Sequence, residues 1–341
     1  NILQRGYAAQ TRVLFAAMPM EQLQEAQALL EKGLLSEAVA SANAALKTAR
    51  SSADATDIVE AVRLLAKLQC TRGEHAAVDK LVTEVGTVKS GSLQDAVLRL
   101  SLAECALASP GADHVLEERA RSCEEALQIF NLEQRKDLEA DALLCLAGLY
   151  LQLPCSAASD RLRMSDKASK LARQSRVCSR EIQDKRREAL AMHTAAVTYA
   201  SFGDEMVDAI KLERDALSKF KALGLTALHL LSLQCLASWH LTAREHAPAL
   251  QCAEDAWELA KSMGERQKAE TLVVLVRAYI ANARIDEAIR VATKEAESFR
   301  ASSCKREEAT ALLSLMYTYF ADDDPDEALR VADDVLEVLQ Q

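Results

Sequence analysis

Apolar residues recur along this chain at helical spacing, in paired segments separated by short polar turns, so the pattern predicts amphipathic helices packed two by two. The clearest pair spans residues 231–260, LSLQCLASWHLTAREHAPALQCAEDAWELA. Small residues stand where its helices must meet: Ala237 on the first, then Ala249, Ala253 and Ala256 on the second, with Leu236 and Trp257 filling around them. Pro248 places the start of the second helix, because proline lacks only an N–H that the first turn leaves unbonded and is costly deeper in.

The same pattern continues on both sides. A first pair starts at Glu21, with Leu23, Ala26 and Leu30 before a turn at Gly33 and Ala38, Ala42, Ala45 and Leu46 after it. A second pair, about Asp57 to Val85, and a third, with its turn at Pro110-Gly111, match less well. The fourth puts Leu146, Ala147 and Tyr150 on one face and ends its second helix near Ala168 and Leu171. The fifth has Ala196, Tyr199, Gly203, Ala209 and Ala216, the seventh Tyr279, Ala288 and Ala292, the eighth Tyr319, Ala328 and Ala332. The alanines at 209, 249, 288 and 328 lie 40, 39 and 40 residues apart, the signature of an internal repeat. Glu295 and Val335 interrupt it, standing where an alanine is due. Asp324, Pro325 and Glu327 read as N-cap, first-turn proline and capping acid of the last helix, and Gly224 and Gly264 stop second helices.

This divides the chain into an extension over residues 1–20 and a repeat array over 21–341, less regular in 21–157 and more regular in 182–341, with a basic linker region at 161–187. The extension holds no acid and reads as a cap over the first pair, an arm that grips a partner, or the remnant of a targeting sequence.

Composition narrows the class. Half of the 341 residues are hydrophobic while glycine (10), proline (5) and aromatics (4%) are scarce, which disfavours a turn-rich β fold and favours an all-α one. A net charge of −10 argues against a nucleic-acid binder, which needs a basic face. The longest uncharged stretch, residues 222–243, is broken by His229, Ser232, Gln234, Ser238 and His240 and fits the repeat, so no transmembrane segment is expected. Nine cysteines, none within four residues of another, read as reduced core residues of the cytoplasm, another reducing compartment or an organelle interior.

Charge is also unevenly placed. Arg161, Arg163, Lys167, Lys170, Arg173, Arg176, Arg180, Lys185, Arg186 and Arg187 face three acids between residues 161 and 187, and residues 321–341 hold eight acids against Arg330. These read as a solvated face or as polar docking surfaces.

Catalytic chemistry has little foothold. Gly86 and Gly91 have phosphate-loop spacing, but Ser92 stands where lysine should, and neither HExxH nor GxSxG occurs. His229, Cys235, His240, His246 and Cys252 are spaced five or six apart and so rarely share a helical face. No catalytic residue, cofactor or metal is expected.

On these residues the chain resembles the tetratricopeptide-repeat family, in the subgroup with repeats of about 40 residues. Ala237, His240, Ala249 and Ala256 match that family's pattern, as do Ala196, Tyr199, Ala209 and Ala216. The resemblance implies a right-handed α-solenoid of about eight antiparallel helix pairs, in which first helices line a concave face. Its outward positions map to Leu144, Gly148 and Leu151; His193 and Val197; Gln234, Ser238 and Leu241; Val273, Arg277 and Ile280; and Leu313, Tyr317 and Phe320. Some of these would instead pack on neighbouring repeats. The carboxylate clamp of chaperone-binding members is not implied, since Leu23 and Gln27 occupy its positions. The resemblance implies a non-enzymatic scaffold or assembly subunit that binds a partner helix or extended segment. A second reading is the sensor region of a larger protein, binding a peptide or small effector.

Overall fold

A computed structural model describes residues 21–30, 34–52, 55–72, 74–83, 91–108, 113–154, 157–201 and 205–340. The expectations for residues 1–20, Gly33, Pro110-Gly111 and Gly203 lie outside these. Among the described residues every regular element is a helix. In order they are α1 (residues 21–30), α2 (Leu35–Ser52), α3 (Ala55–Arg72), α4 (His75–Thr83), α5 (Leu93–Ala108), α6 (Asp113–Leu132), α7 (Lys136–Gln152), α8 (Ala158–Glu181), α9 (Lys185–Ala200), α10 (Met206–Ala222), α11 (Thr226–Thr242), α12 (His246–Ala260), α13 (Glu265–Ala281), α14 (Ile285–Ala301), α15 (Lys305–Ala321) and α16 (Pro325–Gln340). The chain divides into two compact units, the first ending at Thr226 and the second running from Ala227.

In the first unit α3, α5, α7 and α9, the opening helices of their pairs, pack one on the next. Each of α5 to α8 also packs on the helix that follows it. Leu65, Leu68, Leu100, Phe130, Leu146 and Leu149 are fully enclosed between them. In the second unit α15 packs on both α13 and α14, and Leu272, Leu275 and Phe299 are enclosed there. Ala209, Ala249, Ala288 and Ala328 have no exposed surface, as their repeat spacing predicts, and neither do Ala237, Ala253 and Ala256. With only a methyl group at these crossings, backbones approach closely and neighbouring leucines and aromatics close the gaps.

Helix ends follow local chemistry. Pro325 opens α16 and Asp324 Oδ1 accepts from the Glu327 N–H at 3.1 Å. Gly224, beyond the end of α10, adopts φ +69°. Elsewhere the turns place Gln134, Gln183, Arg244, Ala283, Ser303 and Asp323 in the same left-handed region without glycine.

Two expectations need correction. Residues 161–187 form no linker: Arg161 to Arg180 belong to α8, and Lys185, Arg186 and Arg187 open α9. Nor does α8 end near Leu171. Its buried stripe of small side chains, Ala168, Ala172, Ser175 and Ser179, carries it to Glu181, because nothing in that sequence breaks a helix and α7 and α9 cover its face.

Candidate partner-binding surface

Repeat arrays present side chains from successive first helices, so the outward positions of α7 and α9 in the first unit, and separately of α11, α13 and α15 in the second, are the candidate surfaces. The structure sorts them into open and engaged groups. Arg277 on α13 and Leu313, Tyr317 and Phe320 on α15 are exposed. Leu144, Leu151, Val197, Ser238, Leu241, Val273 and Ile280 are half-buried against neighbouring helices.

Others have internal partners. Gln234 Nε2 donates to Thr271 Oγ1 on α13 at 2.7 Å. His193 Nδ1 lies 2.8 and 3.0 Å from the carboxylate oxygens of Glu213, which is wholly buried on α10. Gly148 serves close packing: a Cβ there would stand 2.9 Å from Leu107 Cδ2, so α7 approaches α5 where glycine permits it.

The basic residues of α8 are also partly answered. Arg176 and Arg180 approach Glu188 Oε1 at 3.6 and 2.8 Å, and Lys219 reaches the other oxygen of the same carboxylate at 3.3 Å. Lys167 Nζ donates to Tyr150 Oη at 2.7 Å, and the Tyr150 hydroxyl donates to Glu124. Arg163 pairs with Asp160 and Lys170 with Asp166 within the helix, and Arg173 donates to Ser169. Arg161 and Lys185 are exposed and form no ion pair among the described residues. Exposed pairs of this kind contribute little to stability.

One cluster has no counterpart in the sequence reading. Arg63 on α3, Glu104 on α5, Asp141 on α7 and Arg187 on α9 form a ladder across four successive first helices, each mostly buried. Arg63 pairs with Glu104 at 2.7 Å and with Asp141 at 2.9 Å; Arg187 reaches Asp141 Oδ1 at 2.9 Å and Asp184 at 2.6 Å; Lys67 joins Glu104 at 2.9 Å. Burial opposes ionisation of Asp141 and Glu104, yet Arg63 with Arg187 or Lys67 outweighs it, holding Asp141 well below the usual carboxylate range and lowering Glu104 as well. Three cations balance three carboxylates, so the ladder answers its own charge and leaves no obvious place for an anion.

Among the described residues no three His, Cys, Asp or Glu side chains assemble as a metal site. Buried His240 contacts Glu245, and Ser92, at the failed phosphate-loop position, accepts from Asp95 N–H as the cap of α5. Cys105, Cys123, Cys145, Cys178 and Cys304 are thiols, and burial with the adjacent Cys123 pushes Cys145 upward while burial and Glu139 push Cys178 up to about 11. No helix among the described residues is long and apolar enough to cross a membrane.

No family model and no curated protein matches this sequence. Solved structures do. One is a Signal Transduction ATPase with Numerous Domains with a tetratricopeptide repeat sensor from Pyrococcus horikoshii, matched over 98% of this chain and 48% of that one at TM-score 0.63 and 16% identity. The present chain thus spans about half the length of that protein. NprR in complex with its cognate peptide NprX matches over 92% of this chain and 88% of its own at TM-score 0.54 and 13% identity. Kinesin light chain TPR-like repeats from Podosopora anserina match over 58% and 92% at TM-score 0.50 and 16% identity. With helices paired at a spacing near 40 residues, alanines enclosed at their crossings and these structural likenesses, the chain has the all-α fold of the TPR-like helical repeats.

Proposed function

We propose that this chain is a non-enzymatic scaffold that binds a protein or peptide on the outward positions of its first helices, within a larger assembly and without nucleic acid. The observation that carries this is the pair Arg277 and Tyr317. They occupy equivalent positions on α13 and α15, and Arg277 stays exposed although α15 packs on α13. Arginine and tyrosine are the side chains most often found as energetic anchors of interfaces. The likeness to NprR, solved with a peptide, supports a peptide or partner segment as occupant. Thiols buried in the core, such as Cys123, Cys145 and Cys178, suit a reducing compartment.

A sensor region within a larger protein is the second reading, and the likeness of nearly the whole chain to about half of the Pyrococcus ATPase with its repeat sensor favours keeping it. Both readings place the partner on the same surface. A photo-crosslinking residue at position 317, followed by mass spectrometry on native material, tests them together. A defined protein adduct that Arg277→Glu suppresses is the expected result. Labelling no greater than at an exposed second-helix position such as Arg214 would sink the reading.

A further inference from the structure

Both α8 and α10 pack on α9, and between them lies a trough of about 360 Å3 floored by the buried side chains of Ala172, Ala191, Met192 and Ala195. That volume falls in the range of small-molecule pockets. Its two walls carry opposite charge. Arg173 and Arg176 stand on the α8 side, and Glu205, Asp208 and Asp215 on the α10 side with Lys211 among them. None of these three acids, nor Lys211, forms an ion pair among the described residues, so no bridge closes the trough.

Comparison between repeats shows which donors are left over. Tyr150, Tyr199 and Tyr279 occupy equivalent positions near the ends of α7, α9 and α13. Tyr150 donates its hydroxyl hydrogen to Glu124 on α6, and Tyr279 donates to Glu254 on α12 at 3.5 Å. The matching position on α8 holds Arg173, whose guanidinium accepts nothing, and the Tyr199 hydroxyl forms no hydrogen bond among the described residues. Arg173 turns to its own helix, with Nε 3.3 Å from Ser169 O and Nη2 3.1 Å from Ser169 Oγ. Arg176 Nε is buried without a hydrogen-bond partner, since the Glu188 carboxylate 3.6 Å away is held more closely by Arg180 at 2.8 Å. Two guanidinium groups and a hydroxyl on one wall fit a carboxylate, which arginine meets with paired N–H groups. A bare anion would also face the acids opposite, whereas a ligand that bears a cation as well answers both walls.

From this we infer that the trough between α8 and α10 binds a small zwitterion of short-peptide size, its carboxylate on Arg173, Arg176 and the Tyr199 hydroxyl, its apolar body over Met192 and its ammonium toward Asp208 and Asp215. The site lies within the first unit and shares no residue with the Arg277 and Tyr317 surface, so the two readings fail separately.

The test uses the whole chain and trileucine as probe, with its C-terminal amide and its N-acetyl form, titrated by calorimetry. Trileucine should bind, and each blocked form about tenfold more weakly, because each loses one charge-assisted contact. Arg173→Gln with Arg176→Gln should bind acid and amide alike, and Asp208→Asn with Asp215→Asn should bind free and acetylated amines alike. Tyr199→Phe removes only the unbonded hydroxyl, so it should weaken trileucine about threefold with an unchanged melting temperature, and it decides the matter should the arginine variant fail to fold. No binding of trileucine at millimolar concentration, equal affinity for the three peptides, or selectivity that survives the charge variants would overturn the inference. So would inorganic phosphate binding as tightly as trileucine, since the trough would then take any anion.

Discussion

Asp141 shows most clearly how one side chain can be worth more than its position suggests. Two arginines from α3 and α9 converge on its carboxylate, so replacing it leaves both cations buried together. Asp141→Ala should therefore destabilise the first unit by about 3 to 5 kcal/mol, measured by urea denaturation. The pH dependence has a definite sign. Asp141 and Glu104 have folded pKa values lowered from the unfolded range of about 4, so their contribution is complete above that range and is lost as pH falls below it. Denaturation midpoints should fall as pH drops from about 5, and less steeply in Asp141→Asn, which has already lost that carboxylate. Glu295 makes the complementary point. It breaks the alanine pattern, and Lys268 on α13 answers it at 2.7 Å beside the Phe299 ring.

Within an element the deciding quantity is the space at a crossing. Ala288 on α14 is fully enclosed, and leucine there should overpack by about 1 to 3 kcal/mol, seen as a lower melting temperature. Turns hold the opposite opportunity. Ala283 adopts φ +56°, a region that costs an alanine more than a glycine, so Ala283→Gly should stabilise by about 0.5 to 1 kcal/mol in the same melt. The alanine period was legible because crossings demand small residues at a fixed interval. The left-handed turns were not, since Gln, Arg, Ala, Ser and Asp occupy them as well as Gly224. Nor was the full length of α8, whose many basic residues read as a solvated link although its serines and alanines pack inward.

For the molecule as a whole, the proposed partner surface is a matter of which first-helix positions remain open after stacking. Tyr317→Ala and Arg277→Ala, both at exposed positions, should each weaken partner binding by about 2 kcal/mol and leave the melting temperature unchanged, read by titration calorimetry with the partner that crosslinking identifies. His193 and Gln234 illustrate why spacing alone could not select that surface. Each holds an outward position, yet one meets a buried Glu213 and the other Thr271 of the next first helix.

By itself the sequence determined what depends on neighbours a few residues away or on a regular interval: helix type, pairing, the alanine crossings and the repeat near 40 residues. Helical periodicity and side-chain size are local properties, and they survive in a bare string of letters. The tertiary structure alone decided which polar side chains meet. Arg63, Glu104, Asp141 and Arg187 are separated by about 40 residues at each step and share no motif, so only the stacking of four first helices brings their charges within hydrogen-bond reach.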